Sequence, residues 1–310
     1  MSYFSQRKKA ILRWGYDRLW HRWPLLLYPL IRNFRKENHY FPNVLRPRTF
    51  NEKTLYRMLF DRRAFLHCLA GKLESRPFIT RRLGPDAPFI PLAGVVRRPE
   101  DLASIALPAR FIMKANHGSA MLYVHDRDEA PDLNHLQQLC REWITYDYGK
   151  YFREWVYNGV ERCILIEPLL SDLDGSIPID YKFFCYDGVP LFIKTDSNRF
   201  SHHTSSIFHC DWTHIPGHSE TPACDVPPPP PPHLAEMLEI ARKLSRGMDF
   251  IRVDLYDTSI GVRVGELTNT PAAAAYVFTP RELDYRFGKP WNLVTKGDLP
   301  DAWPTQPASH

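Results

Sequence analysis

The chain has no long apolar run. Its longest candidate, Trp23 to Ile31 (WPLLLYPLI), is interrupted by two prolines and falls far short of the ~20 residues a membrane-crossing helix needs. The opening stretch RKKAILRWGYDRLWHR carries charges where a secretory leader needs an apolar centre, so a cytoplasmic protein is expected. Paired cysteines are missing as well. Cys68, Cys140, Cys163, Cys185, Cys210 and Cys224 stand without CxxC spacing, and Cys140, Cys163 and Cys185 fall inside apolar patterns, as core thiols of a reducing compartment do. Neither GxxxxGK[ST] nor GxSxG occurs, which excludes a P-loop and a nucleophile elbow.

At 310 residues and 44% hydrophobic content, the chain can bury a large core and suffices for two domains or one subdivided domain. Its net charge of +5 is unevenly placed, with an excess of Lys and Arg up to Arg98 and a balanced or acidic remainder. That asymmetry points to an anionic surface or ligand for the N-terminal part. Tyr3 to Phe34 mixes Trp14, Trp20, Trp23 and Phe34 with Arg7, Lys8, Lys9, Arg13, Arg18, Arg22 and Arg32. The blend suits either peripheral contact with an anionic membrane or a helical subdomain that packs its aromatics on the main body. Nucleic acid is not an expected partner, because the basic residues form no aromatic-interleaved sheet face.

Periodicity predicts mixed structure. Leu55, Met58, Leu59, Phe65, Leu66 and Leu69 imply two short helices broken near Asp61, and from Phe89 the texture turns to strands. Phe89 to Val96, Phe111 to Ala115 and Met121 to Val124 read as strands, followed by a helix after the cap Asp132. Cys163 to Leu170 is a further strand, and Asp180 to Tyr186 pairs with Pro190 to Thr195 across the turn Asp187-Gly188. Pro227 to Pro232 reads as a stiff spacer with no role in a core, ahead of an amphipathic helix over His233 to Met248. Repeats are absent, and the class is α/β or α+β.

Two segments carry chemistry. In FIRVDLYDTSIGVRVGELTNTP, Phe250 to Pro271, two strands each bear a carboxylate; if they pair across Thr258 to Gly261, Asp254 and Glu266 share a face and suit Mg²⁺ completed by substrate phosphates. In FIMKANHGSAMLYV, Phe111 to Val124, Lys114 precedes a small-residue loop through which backbone N–H groups can approach phosphates. His202, His203, His209, Cys210, His214 and His218 form a third cluster, read as surface or substrate-loop residues ahead of a zinc site.

The order of these parts resembles the TupA-like ATP-grasp family, associated with teichuronopeptide and other cell-surface polymers. The resemblance rests on Asn51-Glu52-Lys53, the Lys114 to Ser119 stretch KANHGS, Gly149 with Arg153-Glu154-Trp155, the Asp180 to Gly188 stretch DYKFFCYDG, Asp196 with Arg199, Arg252-Val253-Asp254, and Gly265 to Thr268 with Pro271. It implies an ATP-grasp fold: a helical basic N-terminal region (1–88), a small subdomain with a phosphate lid (89–170) and a large subdomain with the metal site (171–310).

By that resemblance, Lys114 holds the α- and β-phosphates, while His117, Gly118 and Ser119 form the lid over them. Glu167, Leu169 and Leu170 belong to the adenine hinge, and Lys182 reaches the γ-phosphate. Asp254 and Glu266 hold Mg²⁺, with Thr268 or Asn269 as a further ligand. Three departures from the family stand out: Ala120 and Met121 replace lid glycines, Thr268 stands where many ATP-grasp enzymes have a metal-binding asparagine, and Ala272 replaces the glycine after Pro271. The expected activity is ATP-dependent joining of a small-molecule or glycan carboxylate to an amine, with Arg199 and Arg252 as anchors for the carboxylate or acyl phosphate. The alternatives are a sugar kinase on the same fold, a glycosyltransferase and a lapsed nucleotide-binding protein.

Overall fold

The computed structural model describes residues 24–172 and 174–294. Four come first: α1 (Pro24–Asn38), α2 (Phe50–Phe60), α3 (Ala64–Ala70) and α4 (Arg76–Leu83). The α2 start is a capping box, in which Glu52 N–H donates to Thr49 Oγ1 at 3.1 Å and Thr49 N–H donates to Glu52 Oε2 at 3.2 Å. A four-stranded antiparallel sheet follows, from β1 (Gly94–Val96), β2 (Phe111–Ala115), β3 (Leu122–His125) and β4 (Ile164–Pro168), in the order β1-β4-β2-β3. Between β3 and β4 lie α5 (Leu133–Thr145), capped by the Asp132 carboxylate, and the short α6 (Tyr148–Phe152). The strand expected from Phe89 shrinks to β1, because Phe89 bridges in parallel to Val264 instead.

The second sheet has six antiparallel strands. It is built from β5 (Asp180–Tyr186), β6 (Val189–Ser197), β7 (Thr204–His209), β8 (His214–Ile215), β10 (Ile251–Tyr256) and β11 (Arg263–Thr268), in the order β11-β10-β5-β6-β7-β8. A two-stranded pair, β9 (His218–Ser219) with β12 (Phe278–Thr279), and the helices α7 (Leu234–Ser245) and α8 (Glu282–Gly288) complete the fold. The two-residue turn between β5 and β6 holds Asp187 and Gly188 at φ 49° and 79°, the left-handed geometry that matches strand twist. An extra residue at Leu191 then shifts the register by one and sets Lys182 opposite Lys194 and Asp180 opposite Asp196.

Alternation gives this sheet two unlike faces. Tyr181, Phe183, Cys185, Ile193, Val253 and Leu255 point to one side and pack with Leu66, Phe78 and Leu244 from α3, α4 and α7. On the other side, half of the face is aromatic. Phe184, Tyr186 and Phe192 join Phe250, Phe278, Phe287 and Trp291 around Phe50, whose ring lies 5.2–6.3 Å from six of its neighbours. The remaining half, at the Asp180 end, carries charge and is left open.

Residues 50–83, grouped with the N-terminal region on sequence, are part of this larger body. Arg57 pairs with Asp249 at 2.7 Å and Arg63 with Asp249 at 2.8 Å, a buried network that Trp291 Nε1 extends by donating to Asp249 at 2.9 Å. The Asn51 amide exchanges hydrogen bonds with the Tyr276 backbone, and Lys53 Nζ donates to the Gly288 and Trp291 carbonyls. The Asn51-Glu52-Lys53 block is therefore a clasp. The proline run is also no free spacer, since Trp212 Nε1 donates to Pro228 O at 3.0 Å and Pro231 is buried. Leu30 and Phe34 of α1 pack on Leu55, Met58 and Leu59. Trp14, Trp20, Trp23 and the cations from Arg7 to Arg22 lie outside the described residues. No helix among the described residues is long and apolar enough to cross a membrane.

Phe50 is fully buried at the aromatic hub. Phe50→Ala is expected to lower the unfolding free energy by about 3–5 kcal/mol, read from the denaturant midpoint, whereas the half-exposed Phe60→Ala changes it by less than about 1 kcal/mol.

Candidate active site

A cavity of about 460 Å³ lies between the two sheets. Its floor is the charged half of the six-stranded sheet, and its roof is the outward face of β2 and β4 with the loop after β2. Register organises the floor. Glu266, Asp254, Lys182 and Lys194 stand directly opposite one another on β11, β10, β5 and β6, forming one cross-strand row. The neighbouring row runs Tyr256, Asp180 and Asp196. Lys182 and Lys194 face each other as like charges, which alone would destabilise the sheet. Lys182 pairs with Asp180 and, at 2.6 Å, with Asp196, and Lys194 pairs with Asp196 at 3.0 Å. Burial lowers the Lys182 pKa, but Asp180 and Asp196 outweigh it and keep the ammonium charged.

Arg252 lies across the carboxylate pair. Its Nε and Nη2 donate to Asp254 at 2.7 and 2.6 Å, Nη2 also reaches Glu266 Oε1 at 3.0 Å, and Nη1 donates to Tyr276 OH at 3.0 Å. Four of its five N–H groups are thus engaged, so Arg252, though it lines the cavity, serves in this structure as the clamp on the carboxylate pair. Arg199 stands beside Asp180 on the same floor. It donates to Asp180 Oδ2 at 2.8 Å and to Tyr256 OH at 3.3 Å, and it lines the cavity beside Phe200 and His203.

The carboxylates expected to hold Mg²⁺ do face one cation together, with Arg252 in that role. Hard oxygen donors on rigid strands suit a divalent ion, and Thr268 Oγ1, 3.1 Å from Glu266 Oε1, adds a hydroxyl on the same side. Asn269 does not belong to this set. Its side chain turns beneath α3, where Nδ2 donates to Leu66 O at 2.7 Å, because β11 ends at Thr268 without a bulge that would bring the next residue round. Burial pushes the Glu266 carboxyl up, but Lys72, Arg252, Lys182 and Lys114 draw it down to about 2. Among the described residues, no group of three or more His, Cys, Asp and Glu gathers as a metal cage, the 202–218 histidines included. His203 instead pairs with Asp196 at 3.0 Å.

On the roof, Lys114 Nζ lies 2.7 Å from Glu167 Oε2, because β2 and β4 pair with Ile112 opposite Glu167. β1 stops pairing with β4 at Ile166, so Pro168, Leu169 and Leu170 run on along an open edge that lines the cavity. Leu169 N–H is engaged on the other edge by Arg110 O at 3.0 Å. In the lid, a Cβ at Gly118 would sit 2.4 Å from Met121 Cε and 2.8 Å from the Tyr148 ring, so the loop closes down on α6. Ala120 takes φ 60°, where glycine is at ease. His117 is not part of the cavity wall: its Nε2 donates to Trp143 O at 2.8 Å, and the buried ring anchors the loop to α5.

Lys72 was not singled out on sequence, since nothing local separates it from the other N-terminal cations. It lines the cavity, donates to Ala115 O at 3.0 Å and Gly118 O at 2.9 Å, and lies 4.0 Å from Glu266 Oε2. One ammonium thus ties lid base to floor. Lys194 belongs with it as a missed floor residue. Asp180 Oδ1 is buried without a partner, an acceptor at the cavity edge that a ligand donor can satisfy.

Glu154 lies behind the lid. Its carboxyl accepts from Thr270 Oγ1 and bonds Tyr148 OH, with no cation beside it, and burial pushes its pKa from 4.5 up to about 7. The folded chain therefore holds a proton the unfolded chain has released. Stability from this group is full below the ordinary carboxyl value and is lost as pH rises through about 7. Glu154→Gln keeps the neutral shape. Its unfolding free energy is expected to match wild type near pH 4 and to exceed it by on the order of 2 kcal/mol above pH 8, in denaturation series across that range.

The profile of the family described as TupA-like ATPgrasp matches residues 52–291. No curated protein shows significant similarity to the chain. Among solved structures it resembles N5-carboxyaminoimidazole synthetase from Staphylococcus aureus, at 13% identity and TM-score 0.39 over 67% of this chain and 46% of that one. It also resembles phosphoribosylamine–glycine ligase from Thermotoga maritima, at 12% identity and TM-score 0.43 over 72% and 55%. A third is D-alanine–D-alanine ligase from Bacillus anthracis, at 12% identity and TM-score 0.40 over 72% and 62%. The chain spans about half the length of the first of these structures. The family profile covers most of the chain, from the α2 clasp through the cleft to Trp291, and the chain belongs to the TupA-like ATP-grasp family.

Proposed function

We propose that the protein is an ATP-dependent carboxylate–amine ligase acting in cell-surface polysaccharide or peptidyl-polymer synthesis. The observation that carries this is the cross-strand row of Glu266, Asp254, Lys182 and Lys194, which grades from anionic to cationic beneath one cleft. Phosphoryl transfer asks a protein chiefly for position and fixed charge, and the row provides both. Adenine lies along the open edge at Pro168 to Leu170, Lys114 and Lys72 face the phosphates, and Ser119 with Gly118 covers them. Asp254, Glu266 and Thr268 would hold Mg²⁺, which would neutralise charge on the phosphate oxygens. Lys182 meets the γ-phosphate.

Arg199 presents the acceptor carboxylate, one of whose oxygens attacks the γ-phosphorus as the bond to ADP breaks, giving an acyl phosphate. The amine nitrogen then adds to the acyl carbon, phosphate leaves, and the nitrogen gives up its proton. Asp180 Oδ1 is the open acceptor beside Arg199 that orients the amine. Lys182 stays positively charged through both steps because Asp180 and Asp196 hold its proton.

The test is ADP release across paired amino acids, sugar acids and amines. The ligase reading expects ADP, phosphate and an amide only when carboxylate and amine are both present, with Arg199→Ala raising KM for the carboxylate about tenfold or more at little cost in nucleotide affinity. A phosphorylated hydroxyl product formed without amine would replace it with a kinase.

A further inference from the structure

One surface outside the cleft combines charge and exposed apolar side chains. Residues 1–50 hold eleven Lys and Arg against Asp17 and Glu37, a net of +9, in a chain whose total is +5. Everything after residue 50 therefore sums to −4. Helix α1 shows how the described part of this charge is presented. Leu30, Phe34 and Asn38 recur at helical spacing on its inner side, where Asn38 Nδ2 donates to Ala274 O at 2.9 Å and the two apolar residues meet α2. Tyr28, Arg32, Arg35 and Lys36 fall on the opposite side and are exposed.

The loop 39–48 folds back along that outer side. The Arg35 guanidinium sits 4.4 Å from the Phe41 ring centroid, and the Phe34 and Tyr40 rings meet edge-on at 5.1 Å. Large apolar groups stand out from this loop and helix: Tyr28 is 62% exposed, Phe41 67% and Leu45 87%. Arg46 and Arg48 follow Leu45, and the single acidic residue here, Glu37, is paired with Lys36. A soluble polyanion needs only the cations. An anionic bilayer takes both, since the cations meet the headgroups while the rings and Leu45 enter the acyl boundary.

We propose that α1 and the loop 39–48 form a docking surface for the anionic lipid surface of a membrane, with Arg32, Arg35 and Lys36 as the headgroup contacts and Tyr28, Phe41 and Leu45 as the inserted groups. The surface does not depend on the ligase reading. It holds the protein peripherally, with the cleft on the remainder of the molecule.

The full chain is mixed with phosphatidylcholine vesicles with and without phosphatidylglycerol and pelleted at low and high salt. Binding is expected only to the anionic vesicles, weakening as salt rises. The triple variant Arg32→Glu, Arg35→Glu, Lys36→Glu and the pair Phe41→Ser, Leu45→Ser should each lower the bound fraction's partition coefficient about tenfold or more. Unfolding midpoints and ATP-analogue affinity serve as controls for the fold and are expected to stay at wild-type values. Absence of co-sedimentation with anionic vesicles at low salt overturns the proposal, as does vesicle binding unchanged in either variant. Capture by soluble dextran sulfate that survives Phe41→Ser, Leu45→Ser, without vesicle binding, assigns the surface to a polyanion instead and overturns it equally.

Discussion

Cross-strand register is the constraint on which the cleft depends. Glu266, Asp254, Lys182 and Lys194 come from four strands, and each stands opposite the next only because extra residues at Leu191 and Gly265 shift the β5–β6 and β10–β11 pairings by one. Slipping any of these strands by one residue would send its charge into the apolar face packed under α7. The row is also balanced from the side. Asp180 and Asp196 separate the two lysines, and Arg252 closes the carboxylate pair, so no member of the row is buried without a counter-charge.

The aromatic half of the same sheet face makes the charged half affordable. Phe184 and Phe192 lie on β5 and β6 as neighbours of Lys182 and Lys194 two residues away, and the Phe50 hub packs over them. That cover comes from α2, α8 and the segment ending at Trp291, which the Asn51 and Lys53 hydrogen bonds lock to one another. The turn at the site's margin is strained. Ala272, Ala273 and Ala274 all take left-handed φ values of 51°, 48° and 65°, about 1–2 kcal/mol each against an ordinary conformation. The departure from glycine at Ala272 is thus carried by packing, since Ala274 is buried against Leu55 and Met58.

Much of this was legible in the sequence where one residue's surroundings are its own neighbours. The helix break at Asp61, the cap at Asp132 and the Asp187-Gly188 hairpin follow from local pattern, whereas Asp254 and Glu266 share a face only because an extra residue at Gly265 turns Glu266 away from the side of Val262 and Val264. Readings failed where a partner distant in sequence decided the outcome. His117 and Asn269 turn away from the cleft because Trp143 O and Leu66 O receive them. Arg252 is drawn onto Asp254 and Glu266, and Lys72 enters the site through contacts with Gly118 and Glu266 that no local spacing announces. Lys194 lay out of reach for another reason: the two-residue turn alone would set Lys182 opposite Ile193, and the extra residue at Leu191 moves Lys194 into that place.

The central claim is that the Asp254–Glu266 pair and Lys114 face one nucleotide across the cleft. Calorimetric titration of a non-hydrolysable ATP analogue, with and without Mg²⁺, tests it most directly. The account predicts binding that requires Mg²⁺ in the wild type, falls at least about tenfold in Lys114→Ala, and loses its metal dependence in Glu266→Gln. A folded wild type that binds no analogue, or a Glu266→Gln variant that keeps full Mg²⁺-dependent affinity, would contradict it.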